Sequence, residues 1–136
     1  MKISLTSLLI AITFILNTTL AFAEAIADDD ELKTAMINFS TQIGLANTMA
    51  LRCADKVAFS RLVSIRTKGL MRFAEAGFPQ KSVDAFDDFI QKNIYGEDER
   101  FGATSCDEDS LKLYMRVLEI QYKYLNDVLS RYVGPQ

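Results

Sequence analysis

Two cysteines, Cys53 and Cys106, stand downstream of an N-terminal stretch that has the form of an export signal, and this pairing narrows the possible folds more than any other feature. Lys2 opens the chain, Ile3 to Leu16 is mostly apolar, and Ala21-Phe22-Ala23 matches an A-x-A cleavage site. The run is short for spanning ~30 Å of hydrocarbon, Asn17-Thr18-Thr19 interrupt it, and acids follow it. Residues 1–23 therefore read as a signal peptide and 24–136 as a single helical domain. The product is expected to be periplasmic or secreted, with no membrane insertion after cleavage. In an oxidising compartment the simplest state of two cysteines is one disulfide, Cys53–Cys106. It would close a loop of more than fifty residues, which in the chain-entropy picture stabilises by roughly 4 kcal/mol. Two thiolates without any histidine do not make a zinc site. No C-x-x-C redox pair occurs either.

Apolar spacing predicts helices throughout. After the acidic start Asp28-Asp29-Asp30-Glu31, the residues Leu32, Met36, Phe39, Ile43, Ala46, Ala50, Cys53 and Val57 recur at intervals of four and three. They form one continuous helical stripe, interrupted only by Gly44, and it carries Cys53 on the core face. A second helix is expected around Leu62, Ile65, Gly69, Phe73 and Ala76, with Ser60 as its cap. Gly77 and Pro79 end it, and Pro79 opens the next. Val83, Phe86, Ile90 and Ile94 line a third helix, widened by Phe89 and stopped at Tyr95-Gly96. Ser105-Cys106-Asp107-Glu108 matches the S-x-x-E capping box. The last stripe runs Leu111, Met115, Leu118, Tyr122, Leu125, Leu129, Tyr132. The expected fold is all-α, a compact bundle of four helices (five at most) braced by one disulfide that clamps the end of the first helix to the start of the last. The heptad-like spacing also admits a homodimer.

The residue inventory excludes much chemistry. The chain has no histidine, which removes the commonest general base and the commonest first-row metal ligand. It has no P-loop, no G-x-G-x-x-G and no EF-hand. Asp84, Asp87 and Asp88 read as the solvated side of a helix, and Asp107-Glu108-Asp109 as favourable charge at a helix start. No catalytic residue, metal or cofactor is expected, and the chain does not read as an enzyme. The formal charge is −3, and loss of the leader removes one lysine and no acid. An exported acidic chain without a basic stripe argues against nucleic acid. It suits a basic protein partner.

The pointed segment is Gly96 to Ser105, the longest polar connection between the expected helices. It sets Phe101 in a glycine-flanked loop among Glu97, Asp98, Glu99 and Arg100. These five are the candidate partner-binding residues. Phe101 is either an exposed anchor of the kind that dominates protein interfaces or a ring folded back onto the core.

With these features the chain resembles the periplasmic immunity proteins that neutralise peptidoglycan-amidase effectors of the type VI secretion system. The resemblance rests on the leader, the small helical body and Met49-Ala50-Leu51-Arg52-Cys53-Ala54-Asp55-Lys56. Gly69-Leu70-Met71-Arg72-Phe73, Gly77-Phe78-Pro79 and the amphipathic helices ending at Tyr95 and Tyr132 extend it over most of the exported part. It implies binding rather than catalysis. Such a protein plugs the cleft of an incoming cell-wall hydrolase, often as a dimer, with an inter-helix loop as the probe. The matching loop is Gly96 to Ser105. Two other classes compete: a periplasmic chaperone or stress protein, and a small-ligand carrier with a pocket near Phe73, Phe86, Phe89 and Tyr122.

Overall fold

In the computed structural model the described residues are 26–134; the leader assigned to 1–23 lies outside them. Four helices form: α1 (Asp29–Arg52), α2 (Lys56–Glu75), α3 (Gln80–Phe101) and α4 (Glu108–Arg131). The all-α bundle and the Cys53–Cys106 disulfide stand as the sequence implies. The one pairing of extended backbone among the described residues is an isolated bridge, Ala27 with Tyr132, which ties the start of α1 to the end of α4.

Local chemistry explains where each helix begins. The Asp28 carboxylate accepts the Glu31 N–H at 2.8 Å and caps α1, with Asp29, Asp30 and Glu31 in the favourable first turn. Asp55 caps α2 by accepting the Ala58 N–H at 3.0 Å, so the cap is Asp55 and not Ser60. The first stripe correspondingly breaks early. α1 ends at Arg52, Ala54 takes a left-handed turn at φ 52°, and Val57 belongs to α2, where it is 74% exposed. Gly77, at φ 102°, closes α2 as expected of a C′ glycine. Asp107, not Ser105, caps α4, accepting the Asp109 N–H at 3.1 Å and the Ser110 N–H at 3.3 Å.

The helices alternate up and down, as the cross-links show. Arg131 of α4 reaches Glu31 of α1, and Arg66 of α2 reaches Asp87 of α3. α1 and α2 each pack against all three other helices. α3 and α4 lie on opposite sides of that pair and meet at a ring contact, Phe101 with Tyr114. The core is threaded by aromatic rings from all four helices and the α2–α3 turn. Tyr122 lies 6.2 Å from Phe39, Phe39 6.1 Å from Phe86, Phe86 4.9 Å from Phe73, and Phe73 stacks on Phe78 at 4.1 Å. Phe78 in turn stacks on Tyr132 at 5.6 Å. Phe89, expected to widen the core stripe of α3, is 39% exposed instead.

Two glycines set the interhelical distances. A methyl group at Gly69 would sit 2.5 Å from Phe39 Cζ, and one at Gly44 would sit 2.8 Å from the Asn93 carbonyl oxygen. Gly69 is therefore the notch in α2 that receives the Phe39 ring. Gly44 lets α3 lie close against α1. The disulfide links the C-cap of α1 to the linker before α4, with Cα atoms 4.7 Å apart. Cys53 is half-buried and Cys106 exposed, so the bond is at the rim of the bundle and not inside it. It lies where the chain has already left the helix, beyond the last core residues of α1.

The glycines give a paired prediction. Gly69→Ala overpacks a fully buried ring and is expected to destabilise by about 2–3 kcal/mol. Gly96→Ala meets open space within a helix and is expected to stabilise by about 0.5–1 kcal/mol. Urea unfolding of the two variants checks both signs. A second prediction concerns alkaline pH. The Tyr132 hydroxyl donates to Asp29 Oδ1 at 2.5 Å, and this bond, with burial, pushes the phenol from 10 up to about 12. Its contribution to stability is complete below pH 10 and is lost as pH rises toward about 12. Denaturation midpoints across that window should fall in the wild type and flatten in Tyr132→Phe.

Candidate partner-binding site

The polar segment that the sequence marks as a loop is largely helical. α3 does not stop at Gly96; it continues to Phe101, and the true connection is residues 102–107. The reason is packing and charge. Ile94 and Glu97 are buried on either side of Gly96, and the side chain of Glu97 lies against the bare backbone of Gly44. That contact with α1 offsets the intrinsic helix cost of Gly96, about 1 kcal/mol. Gly102 then ends the helix at φ 53°.

The five candidate residues consequently separate. Glu97 is 3% exposed and pairs with Arg100 on the same helix, so it points inward and presents nothing to a partner. Phe101 is half-buried, packed against Tyr114 and the core, not an exposed loop anchor. Asp98, Glu99 and Arg100 are exposed. They stand together on the last turn of α3, beside the exposed linker residues Gly102 to Ser105.

Arg52 organises this corner. Its Nη1 donates to Asp98 Oδ1 at 3.0 Å, and its Nη2 donates to the Gly102 carbonyl at 2.7 Å and the Asp98 carbonyl at 3.4 Å. Its guanidinium lies 5.9 Å from the centre of the Phe101 ring. The guanidinium shares the Asp98 carbonyl with the capping Gly102 N–H and satisfies the Gly102 carbonyl just beyond the helix, and a cation at the C-terminal end of α3 complements the helix dipole. From the other side the Asp107 N–H donates to Met49 Sδ at 3.3 Å, and the disulfide ties the linker back to α1. The Ser110 N–H and hydroxyl hold the Asp107 carboxyl below its ordinary range. This cap is intact above the usual carboxylate titration and is lost as pH falls through the lowered value.

The corner thus offers a fixed acidic edge of Asp98 and Glu99. Among the described residues no cluster of three potential metal ligands occurs, and no helix is long and apolar enough to cross a membrane. Sequence reasoning found the segment but missed Arg52, whose signal was its place at the end of a helix one residue before Cys53. It also missed an apolar groove of about 380 Å³ between α1 and α3, lined by Leu32, Met36, Ile37 and Phe89. This groove shares Leu32, Met36 and Phe89 with a second, of about 330 Å³, that reaches Phe73, Phe78 and Phe86, so that three of the four residues named for a carrier pocket line it and Tyr122 does not.

No protein-family model, curated protein or solved structure matches the chain.

Arg52→Ala is expected to leave the helix content intact while destabilising by about 1–2 kcal/mol. Amide exchange should accelerate locally over residues 98–105, the segment its guanidinium holds. Uniform acceleration over the whole bundle would show that Arg52 does not hold the corner in particular.

Proposed function

We propose that this protein is a periplasmic immunity or inhibitor protein that binds and blocks a secreted peptidoglycan-degrading amidase. It acts by protein–protein contact and performs no catalysis of its own. The observation that carries this reading is the α3–α4 corner, where Arg52 and the disulfide hold an acidic, solvent-facing edge in a single arrangement. A surface ordered in advance loses little conformational freedom when a partner docks. Asp98 and Glu99 suit basic groups beside the enzyme's cleft, with Arg100, the exposed edge of Phe101 and the linker completing the contact. The export signal and the resemblance to amidase-immunity proteins agree with it.

The test is binding of the exported, disulfide-bonded protein to the secreted cell-wall amidases of competing bacteria, followed by kinetics with Glu99→Lys. The expected outcome is tight binding with loss of hydrolase activity, and association slowed about tenfold or more by Glu99→Lys at low salt. Phe101→Ala should weaken binding by about 2 kcal/mol or more if the ring edge is a hot spot. Failure to bind any cell-wall amidase ends this reading. Inhibition that survives Glu99→Lys and Phe101→Ala keeps the function and moves the contact elsewhere.

The alternative of a periplasmic chaperone or small-ligand carrier draws on the joined apolar grooves at Met36 and Phe89. It requires that the protein suppress aggregation of an unfolded client or take up an apolar dye, and that Phe89→Glu abolish the effect.

A further inference from the structure

We propose that the outer face of α4 is a second docking surface, built for an amphipathic helix of a partner protein that carries acidic residues along one edge. α4 has two apolar stripes. One faces the core through Leu111, Met115, Leu118, Leu125 and Leu129. The other consists of Leu113, Val117, Ile120 and Tyr124, spaced four, three and four, and lies roughly 140° around the helix. Leu113 is 50% and Ile120 56% exposed, while Val117 and Tyr124 are half-buried. Residues at that spacing form a single seam, the geometry by which one helix receives another. Tyr124 also packs against the core, but Leu113 and Ile120 are left open, because α3 lies across the molecule from α4.

Charge identifies the occupant. Lys112, Arg116 and Lys123 each stand one residue before a member of the seam, so all three line the same edge, and all three are exposed. None closes an ion pair among the described residues, whereas every arginine other than Arg116 does. Glu119, one residue before Ile120, stands in the same row, but its carboxylate is taken up by Arg61 of α2; Asp109 and Asp127 mark the ends, and Asp127 is engaged by Arg131. The basic edge borders an open groove of about 430 Å³ between α2 and α4, with room for side chains reaching across it. In a chain that is acidic overall, this edge calls for carboxylates on whatever covers the seam.

A second copy of the chain does not supply them. If two α4 helices packed antiparallel about a two-fold axis, the basic edge of each would face the basic edge of the other. Packed parallel, the basic edge would face Tyr114 and Gln121, which carry no charge. A membrane surface fits less well, since the seam is one residue wide and its cations lie on one side only, whereas an interfacial helix needs a broad apolar face.

The surface is separate from the α3 corner, and its test does not depend on the hydrolase. The probes are two synthetic helical peptides of about three heptads with identical leucine seams, one with glutamates and one with lysines along both edges. Each is labelled and titrated into the full disulfide-bonded protein at low salt. The expected result is that the glutamate peptide binds at least about tenfold more tightly than the lysine peptide. Arg116→Glu should abolish or reverse that preference, and Ile120→Glu, an exposed position, should abolish binding while leaving the melting curve unchanged. Amide shift changes should centre on residues 112–124. Equal binding of the two peptides, no binding of either, or shifts centred on the α1–α3 groove would overturn the proposal. So would a dimer in sedimentation that Ile120→Glu dissociates, or uptake by phosphatidylglycerol vesicles without binding of the glutamate peptide.

Discussion

The fold depends on the seating of the Phe39 ring in the notch left by Gly69. Phe39 is completely buried and touches the aromatic core on two sides, at Phe86 and Tyr122. Because Gly69 has no Cβ, α2 approaches α1 closely enough for one ring to fill the space between them. Gly44 plays the same part on the α3 side of α1, where the Asn93 carbonyl and the Glu97 side chain come close. Interiors are packed at nearly crystalline density, so close approach at one contact fixes the others. With α1 drawn against both α2 and α3, and α4 closing the remaining side, the four helices form a rhomb whose short diagonal is the α1–α2 pair. That shape separates α3 from α4 and leaves the outer flank of α4 without a neighbour.

The acidic corner follows from the same arrangement. Gly44 admits the last turns of α3, so Glu97 is buried and α3 runs on past Gly96. Arg52 then reaches the C-terminal carbonyls of α3 because α1 and α3 point the same way and end at the same level. The disulfide lies beside this junction and limits how far the linker can depart from α1. A cross-link closing a separation of 53 residues acts mainly on the unfolded chain. Here it has a second consequence, since the segment it holds connects the corner to the start of α4.

Much of this was legible in the sequence, and the failures have particular causes. The four core stripes, the disulfide and the two ends it joins could be read from spacing and from the expectation that residues 1–23 are an export signal. Helix boundaries could not be read where a stripe continued by coincidence. Cys53 and Val57 keep the four-residue interval of α1, yet Asp55 accepts the Ala58 N–H and restarts the chain as α2. Ser105 and Glu108 satisfy a capping pattern, but Asp107 is the residue whose carboxylate meets two free N–H groups. Gly96 reads as a stop because a glycine in a helix is costly by itself. The contact that overrides this cost, Glu97 against Gly44, spans residues far apart in sequence and leaves no local mark. The candidate segment was therefore read with the wrong shape. Two of its five residues face inward or half inward because the segment is a helix, with an inside and an outside.

The ion pairs show how the remaining polar groups are used. Four of them join different helices: Arg52 with Asp98 links α1 to α3, Arg61 with Glu119 links α2 to α4, Arg66 with Asp87 links α2 to α3, and Arg131 with Glu31 links α4 to α1. These are the four sides of the rhomb, while among the described residues no ion pair spans its short diagonal, where Phe39 meets Gly69. Exposed or half-exposed pairs of this kind contribute at most about 1 kcal/mol each, so their sum does not account for the stability of the bundle. Their value is positional. A guanidinium meeting a carboxylate has a preferred direction as well as a distance, so each pair opposes sliding of one helix along another, which apolar contacts resist only weakly. On this view an arginine of this chain ordinarily finds its acid on a neighbouring helix or within a turn of itself. Arg116 lines the groove between α2 and α4 with an apolar seam on its other side; the acid one turn away, Glu119, is taken by Arg61, so Arg116 is the place where the internal pairing scheme leaves a charge turned outward.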